Sequence, residues 1–111
     1  MRILILDTEL WLPIFEHMLS HCDVEFTSDT EEALRWYNER APYDIVLAGL
    51  FAANGLPLIA HICRINPTQA VAVMTGCAGD EPLARVHELN IPVLRKPFSA
   101  EELMEFIHQL R

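Results

Sequence analysis

Apolar residues along the chain alternate between short, nearly continuous runs and longer stretches at helical spacing. The first run, Arg2-Ile-Leu-Ile-Leu6, is continuous and fits a strand covered on both faces. The stretch after Asp7 puts Trp11, Leu12, Ile14, Phe15, Met18 and Leu19 near helical spacing. Pro13 is tolerated only in a first helical turn, so this helix is expected to start near Leu10 to Leu12. The second run, Val24-Glu-Phe-Thr27, is short and alternates, as an edge strand does. Ser28-Asp-Thr-Glu31 then reads as a capping box, in which the serine hydroxyl and the glutamate satisfy free amides at a helix start. Ala33, Leu34, Trp36 and Tyr37 supply the apolar side of that helix, and Pro42 ends the connection.

The third run, Tyr43-Asp-Ile-Val-Leu-Ala48, stops at Gly49. A loop through Asn54-Gly55 leads to Leu56, Ile59, Ala60, Ile62 and Cys63, a broad helical stripe with Pro57 suited to its first turn. The fourth run, Ala70-Val-Ala-Val-Met74, ends in Thr75-Gly-Cys-Ala-Gly79. Asp80-Glu-Pro82 can open the next helix by capping, with Leu83, Val86 and Leu89 as a narrow apolar stripe. The fifth run, Ile91-Pro-Val-Leu94, passes through Arg95-Lys96-Pro97-Phe98 to a second capping box, Ser99-Ala-Glu-Glu102. Leu103, Phe106, Ile107 and Leu110 follow at helical spacing.

Five strand–helix pairs with short, covered strands predict an α/β fold: an open parallel sheet with helices on both faces. The leading topology is the flavodoxin-like (βα)5 sandwich with strand order 2-1-3-4-5, in a single domain spanning residues 1–111. Sites in such sheets form outside the carboxyl ends of the strands, where strand order reverses. That rule brings Asp7, Thr8 and Glu9 after the first strand together with Gly49 after the third. Thr75 after the fourth and Lys96 after the fifth lie beside them.

Composition narrows the function classes. With 8 Lys and Arg against 16 Asp and Glu, the formal net charge is −8, and no basic cluster is present, so direct nucleic-acid binding is not expected. The 3 cysteines, Cys22, Cys63 and Cys77, are widely spaced and form no CxxC, which fits free thiols in a reducing compartment. The run Ile3 to Leu6 is too short for a signal peptide or a membrane span; no membrane association and a cytoplasmic location are expected. His17 and His21 are spaced for a shared metal but have no third ligand nearby, so no metal and no cofactor are expected. No nucleophile–base pair stands out, so the chain does not read as an enzyme.

Four segments carry a resemblance. Ile3-Leu-Ile-Leu-Asp-Thr-Glu9, Tyr43-Asp-Ile-Val-Leu-Ala-Gly-Leu50, Val73-Met-Thr-Gly76 and Leu94-Arg-Lys-Pro-Phe98 together resemble the receiver domain of two-component response regulators, over essentially the whole chain. The Lys-Pro-Phe after the fifth strand is the most specific of them. The resemblance implies a pocket where an acidic pair and an acceptor aspartate hold Mg²⁺, with the threonine and lysine as its switch groups. This chain departs from it. Asp7 keeps the first acid, but Thr8 replaces the second and Gly49 replaces the acceptor. Glycine has no nucleophile, so position 49 accepts no phosphoryl group, and the loss of two carboxylates removes most of the cation's ligands. Val93 replaces the aromatic residue that reports phosphorylation in active receivers. Lys96 is then expected to pair with Asp7 across the vacated pocket, because a partly buried lysine needs a partner.

The expected function is a phosphorylation-independent receiver that binds a signalling partner or a second copy of itself. The face implied by the resemblance comprises the fourth helix, fifth strand and fifth helix: Arg85, Val86, Leu89, Val93, Arg95, Glu102, Met104 and Glu105. The alternatives are a small-ligand or anion sensor using the vacated pocket and, last, a phospho-receiver with a shifted acceptor. A filled pocket favours the first over the sensor.

Overall fold

The computed structural model describes residues 1–50, 55–76 and 80–110, with no side chains for residues 80–83. The described chain runs β1 (Arg2–Leu6), a 3-10 turn (Glu9–Trp11), α1 (Leu12–Met18), β2 (Asp23–Thr27), α2 (Thr30–Arg40) and β3 (Ile45–Gly49). It continues with α3 (Leu56–Ile65), β4 (Ala70–Thr75), α4 (Asp80–Glu88), β5 (Val93–Arg95) and α5 (Ala100–Leu110). The strands form one parallel sheet in the order β2-β1-β3-β4-β5, the flavodoxin-like topology expected from the pattern.

Alternation along the central strands splits the core in two. Leu4, Leu6, Val46, Ala48, Val71 and Val73 face α2, α3 and α4, where Ala33, Tyr37, Leu58, Ile59, Ile62 and Val86 pack on them. Ile3, Ile5, Ile45, Leu47, Ala72 and Met74 face α1 and α5, meeting Phe15, Leu19, Leu103 and Ile107. Both faces of β1, β3 and β4 are therefore covered, which is why their sequences read as continuous apolar runs.

Element ends follow local chemistry. Pro13 falls in the first turn of α1, where its missing N–H costs nothing. The α5 capping box forms as expected: Glu102 N donates to Ser99 Oγ at 3.0 Å, and Ser99 N donates to Glu102 Oε1 at 3.1 Å. The box expected at Ser28 does not. Asp29 caps α2 instead, accepting from Glu31 N at 3.0 Å, and Thr27 Oγ1 accepts from Asp29 N at 3.1 Å. A charged acceptor one residue closer to the helix takes the cap, and Ser28 stays exposed.

β3 begins at Ile45 rather than Tyr43, because Asp44 closes the strand end: its N–H donates to Arg2 O at 2.8 Å and its Oδ2 accepts from Arg2 N at 2.7 Å. β5 spans Val93–Arg95 instead of Ile91–Leu94. Ile91 N donates to Val86 O as part of the α4 terminus, where Asn90 has φ 56°, and Pro92 has no N–H to offer the ladder. β2 gains one residue, Asp23, whose N–H donates to Met1 O. The loop containing Asn54, the thiol of Cys77 and any cap at Asp80 to Pro82 lie outside the described residues and side chains. Cys22 and Cys63 are free, half-buried thiols, and burial pushes the Cys63 thiol up from its ordinary value.

Candidate functional site

Asp7 is the first residue past β1, and its backbone N–H still donates to Thr27 O at 3.2 Å. That bond, to the end of β2, fixes the residue at the carboxyl edge of the sheet. Its side chain is completely buried. Oδ1 accepts from Thr8 N at 2.7 Å, and Oδ2 accepts from Lys96 Nζ at 2.6 Å. Lys96 comes from the far side of the site. Its own N–H donates to Thr75 O at 2.8 Å, which hangs the residue from the end of β4. Its side chain is 11% exposed, so the ion pair sits almost out of solvent, where a charge requires a partner.

Gly49 is the reason the carboxylate fits. A Cβ at position 49 would lie 2.8 Å from Asp7 Oδ1 and 2.9 Å from Asp7 Cγ. The Asp7 side chain thus fills the space into which a side chain at 49 would extend. Gly55 completes the turn: its N–H donates to Gly49 O at 2.8 Å, and a Cβ there would meet that oxygen at 2.5 Å.

Trp11 also belongs to the site. The Lys96 ammonium lies 4.2 Å from the centre of its ring, a cation–π contact. The indole packs in turn on Phe98 at 5.4 Å and Phe15 at 5.9 Å between ring centres. Lys96 is therefore held by a carboxylate and by an aromatic face that belongs to the core under α1 and α5. The apolar spacing after Asp7 placed Trp11 on the first helix, but spacing alone left open whether it is core or surface.

Of the residues expected at the site, Asp7, Gly49 and Lys96 are brought into direct contact, with Thr75 beside them and buried. Thr8 contributes its backbone N–H. Glu9 is exposed and takes no part in the pair. On the α4–β5–α5 face, Arg85, Arg95, Glu102 and Glu105 are exposed, and Leu89, Val93 and Met104 are half-buried. Val86 corrects the expectation. It is fully buried between α4 and the sheet, so it supports that face without being part of its surface. Arg85 pairs with Glu88 at 3.3 Å. His17 closes α1, whereas His21 lies beyond the helix and is exposed, so the two share no helical face.

The residues present do not fit the Mg²⁺ that the resemblance implies. A small hard dication takes near-octahedral oxygen ligands, with one or two carboxylates among them. The Asp7 oxygens are engaged by Lys96 and Thr8, Thr8 has no carboxylate, and Gly49 has no side chain. Among the described residues, no three His, Cys, Asp or Glu side chains gather as a metal site.

The sheet order β2-β1-β3-β4-β5 is the fold of response-regulator receiver domains. No protein-family model and no curated protein matches the chain. Solved structures do. A response regulator receiver domain protein from Clostridium thermocellum superposes with a TM-score of 0.84 at 26% identity, covering 98% of this chain and 92% of that one. The beryllofluoride-activated NtrC4 receiver domain dimer gives a TM-score of 0.84 at 20% identity, covering 98% and 94%. NtrX from Brucella abortus, solved in complex with ADP, gives 0.84 at 24% identity; this chain, 98% covered, spans 25% of its length. No described helix is long and apolar enough to cross a membrane.

Proposed function

We propose that this chain is a phosphorylation-independent receiver domain, one unit over residues 1–111, that works in the cytoplasm by binding protein partners. The observation that carries the reading is the Asp7–Lys96 ion pair closed into the space beside Gly49. The two groups that would receive a cation and a phosphoryl group satisfy each other. A switch needs a ligand that distinguishes two states, and with this pocket closed the distinguishing ligand is a partner molecule. The α4–β5–α5 face supplies the contacts: exposed Arg85, Arg95, Glu102 and Glu105 around half-buried Leu89, Val93 and Met104. The NtrC4 receiver, described as a dimer, supports a second copy or a related signalling protein as the occupant.

The test is a backbone amide NMR titration with Mg²⁺, then with Mg²⁺ and beryllofluoride. The expected result is no saturable shift at Asp7, Gly49, Thr75 or Lys96. Saturable shifts there with both additions overturn the reading in favour of a phospho-receiver. Shifts with an anion alone favour a sensor.

A further inference from the structure

A groove of about 450 Å³ opens at the β2 edge of the sheet, away from the α4–β5–α5 face. Its apolar lining is Leu12 and Pro13 from the start of α1 and Phe26 from β2; Glu9, Thr27, Ser28 and Glu32 complete it. The groove exists because β2 is the last strand of the sheet and α1 is short, starting only at Leu12. Its walls are set. Phe26 packs on Phe15 at 6.3 Å between ring centres, and the Thr27 hydroxyl donates to Glu32 Oε1 at 2.7 Å.

The segment beside it is unusually apolar for a surface. Leu10, between the lining residues Glu9 and Leu12, is 85% exposed, and Ile14, next to Pro13, is 37% exposed. Scattered exposed apolar residues are ordinary, but here two of them flank an apolar-floored groove. The rim is acidic. Glu9 is exposed at one end, Glu32 stands at the other, and Glu31 joins Glu32 in the first turn of α2. Among the described residues, the cation paired with this rim is Arg35, 3.6 Å from Glu32. The whole chain carries a formal charge of −8.

We propose that this groove receives a basic amphipathic segment of a partner protein. An apolar side chain of that segment seats on Leu12, Pro13 and Phe26, and flanking lysine or arginine residues meet Glu9 and Glu32. An apolar centre with an oppositely charged rim is the ordinary anatomy of a protein interface. This surface is separate from the α4–β5–α5 face, so the inference stands whether or not that face is used.

The test uses the isotope-labelled full chain and two designed peptides: one of repeating leucine and lysine, and its counterpart with glutamate for lysine. The expected result is saturable amide shifts at Glu9, Leu12, Phe26, Thr27 and Ser28 with the lysine peptide and none with the glutamate peptide. In Glu9→Gln/Glu32→Gln, which retains an acceptor for Thr27, affinity is expected to fall about tenfold or more. In Glu39→Gln/Glu101→Gln, outside both the groove and the α4–β5–α5 face, it is expected to stay unchanged. Shifts elsewhere only, or equal losses in both variants, overturn the proposal, since net charge alone then accounts for binding. Thermal melts of both variants separate lost binding from lost folding.

Discussion

A Cβ at Gly49 would stand 2.8 Å from Asp7 Oδ1, so the carboxylate and any side chain at 49 exclude one another. Asp7 is completely buried and bonded at both oxygens, so it has no alternative place to go without breaking a bond. Gly49→Ala is therefore expected to destabilise the chain by about 1–3 kcal/mol, the usual cost of overpacking a core. Urea unfolding of the two proteins measures it. An unchanged midpoint would mean that the Asp7–Lys96 pair does not depend on the missing side chain.

The two halves of the ion pair are not equivalent. Asp7 is sealed, whereas Lys96 is 11% exposed and carries a flexible stem that reaches water. Lys96→Met leaves a buried carboxylate without its counter-ion and is expected to cost about 3–5 kcal/mol. Asp7→Asn leaves a lysine that can turn outward, and its expected cost is smaller. Asp7→Leu combined with Lys96→Met is expected to recover most of the loss, because no uncompensated charge remains. Denaturant midpoints of the three variants decide the order.

Trp11 acts on Lys96 through its ring face. Trp11→Leu is expected to lose both apolar packing on Phe15 and Phe98 and the cation–π contact. A double-mutant cycle with Lys96→Met isolates the second part, expected at about 0.5–2 kcal/mol. A coupling of zero would make the indole a packing group only.

At the opposite end of the sheet, Glu25 accepts from Arg2 and from Arg40, each at 2.7 Å. The two guanidinium groups stack on Tyr43 and Trp36 respectively. Burial pushes the Glu25 carboxyl up, but the bonds from Arg40 and Arg2 outweigh it and hold the group below its ordinary value. Because the folded value lies below the unfolded one, the stabilisation is in place above the ordinary carboxylate range. It is lost as pH falls through the folded value. With Arg2 and Arg40 at 35% and 47% exposure, solvent screening keeps the contribution small. Stability of Glu25→Gln between pH 7 and pH 3 is expected to fall less steeply than that of the parent.

Tyr43 sits inside the same cluster, its hydroxyl buried beside Glu25 without a hydrogen bond of ordinary geometry. Burial first, then the Glu25 charge, pushes its phenol up to about 12. Tyr43→Phe keeps the ring against Arg2 and Tyr37 and removes the unsatisfied hydroxyl, so its stability is expected to stay within about 0.5 kcal/mol of the parent. It should also flatten the loss of stability from pH 10 toward pH 12, where the unfolded phenol ionises before the folded one.

The architecture was legible because it is written in local pattern. Continuous apolar runs at β1, β3 and β4 mean two covered faces, and helical stripes between them require crossovers, which leaves few sheet orders. The site could be assembled on paper for the same reason, since strand ends in a parallel sheet converge on one edge and bring Asp7, Gly49 and Lys96 to it. Strand and cap boundaries were less legible. Asp44 and Pro92 act through bonds they make or fail to make with distant strands, and Asp29 competes with Ser28 for one amide.

What only the tertiary structure decided is which atoms fill which space. Sequence showed that Gly49 lacks a nucleophile and that Asp7 and Lys96 carry opposite charges. Neither fact says that the carboxylate occupies the room beside Gly49, or that the Trp11 ring covers the ammonium from the other side. Nor did the face implied by the resemblance show that Val86 is sealed in the core, or the helical spacing that Leu10 stands 85% exposed. Period and propensity are properties of neighbours along the chain. The Asp7–Lys96 pair was expected from the sequence, but the close packing around it depends on distances between residues far apart along the chain, which the folded chain alone sets.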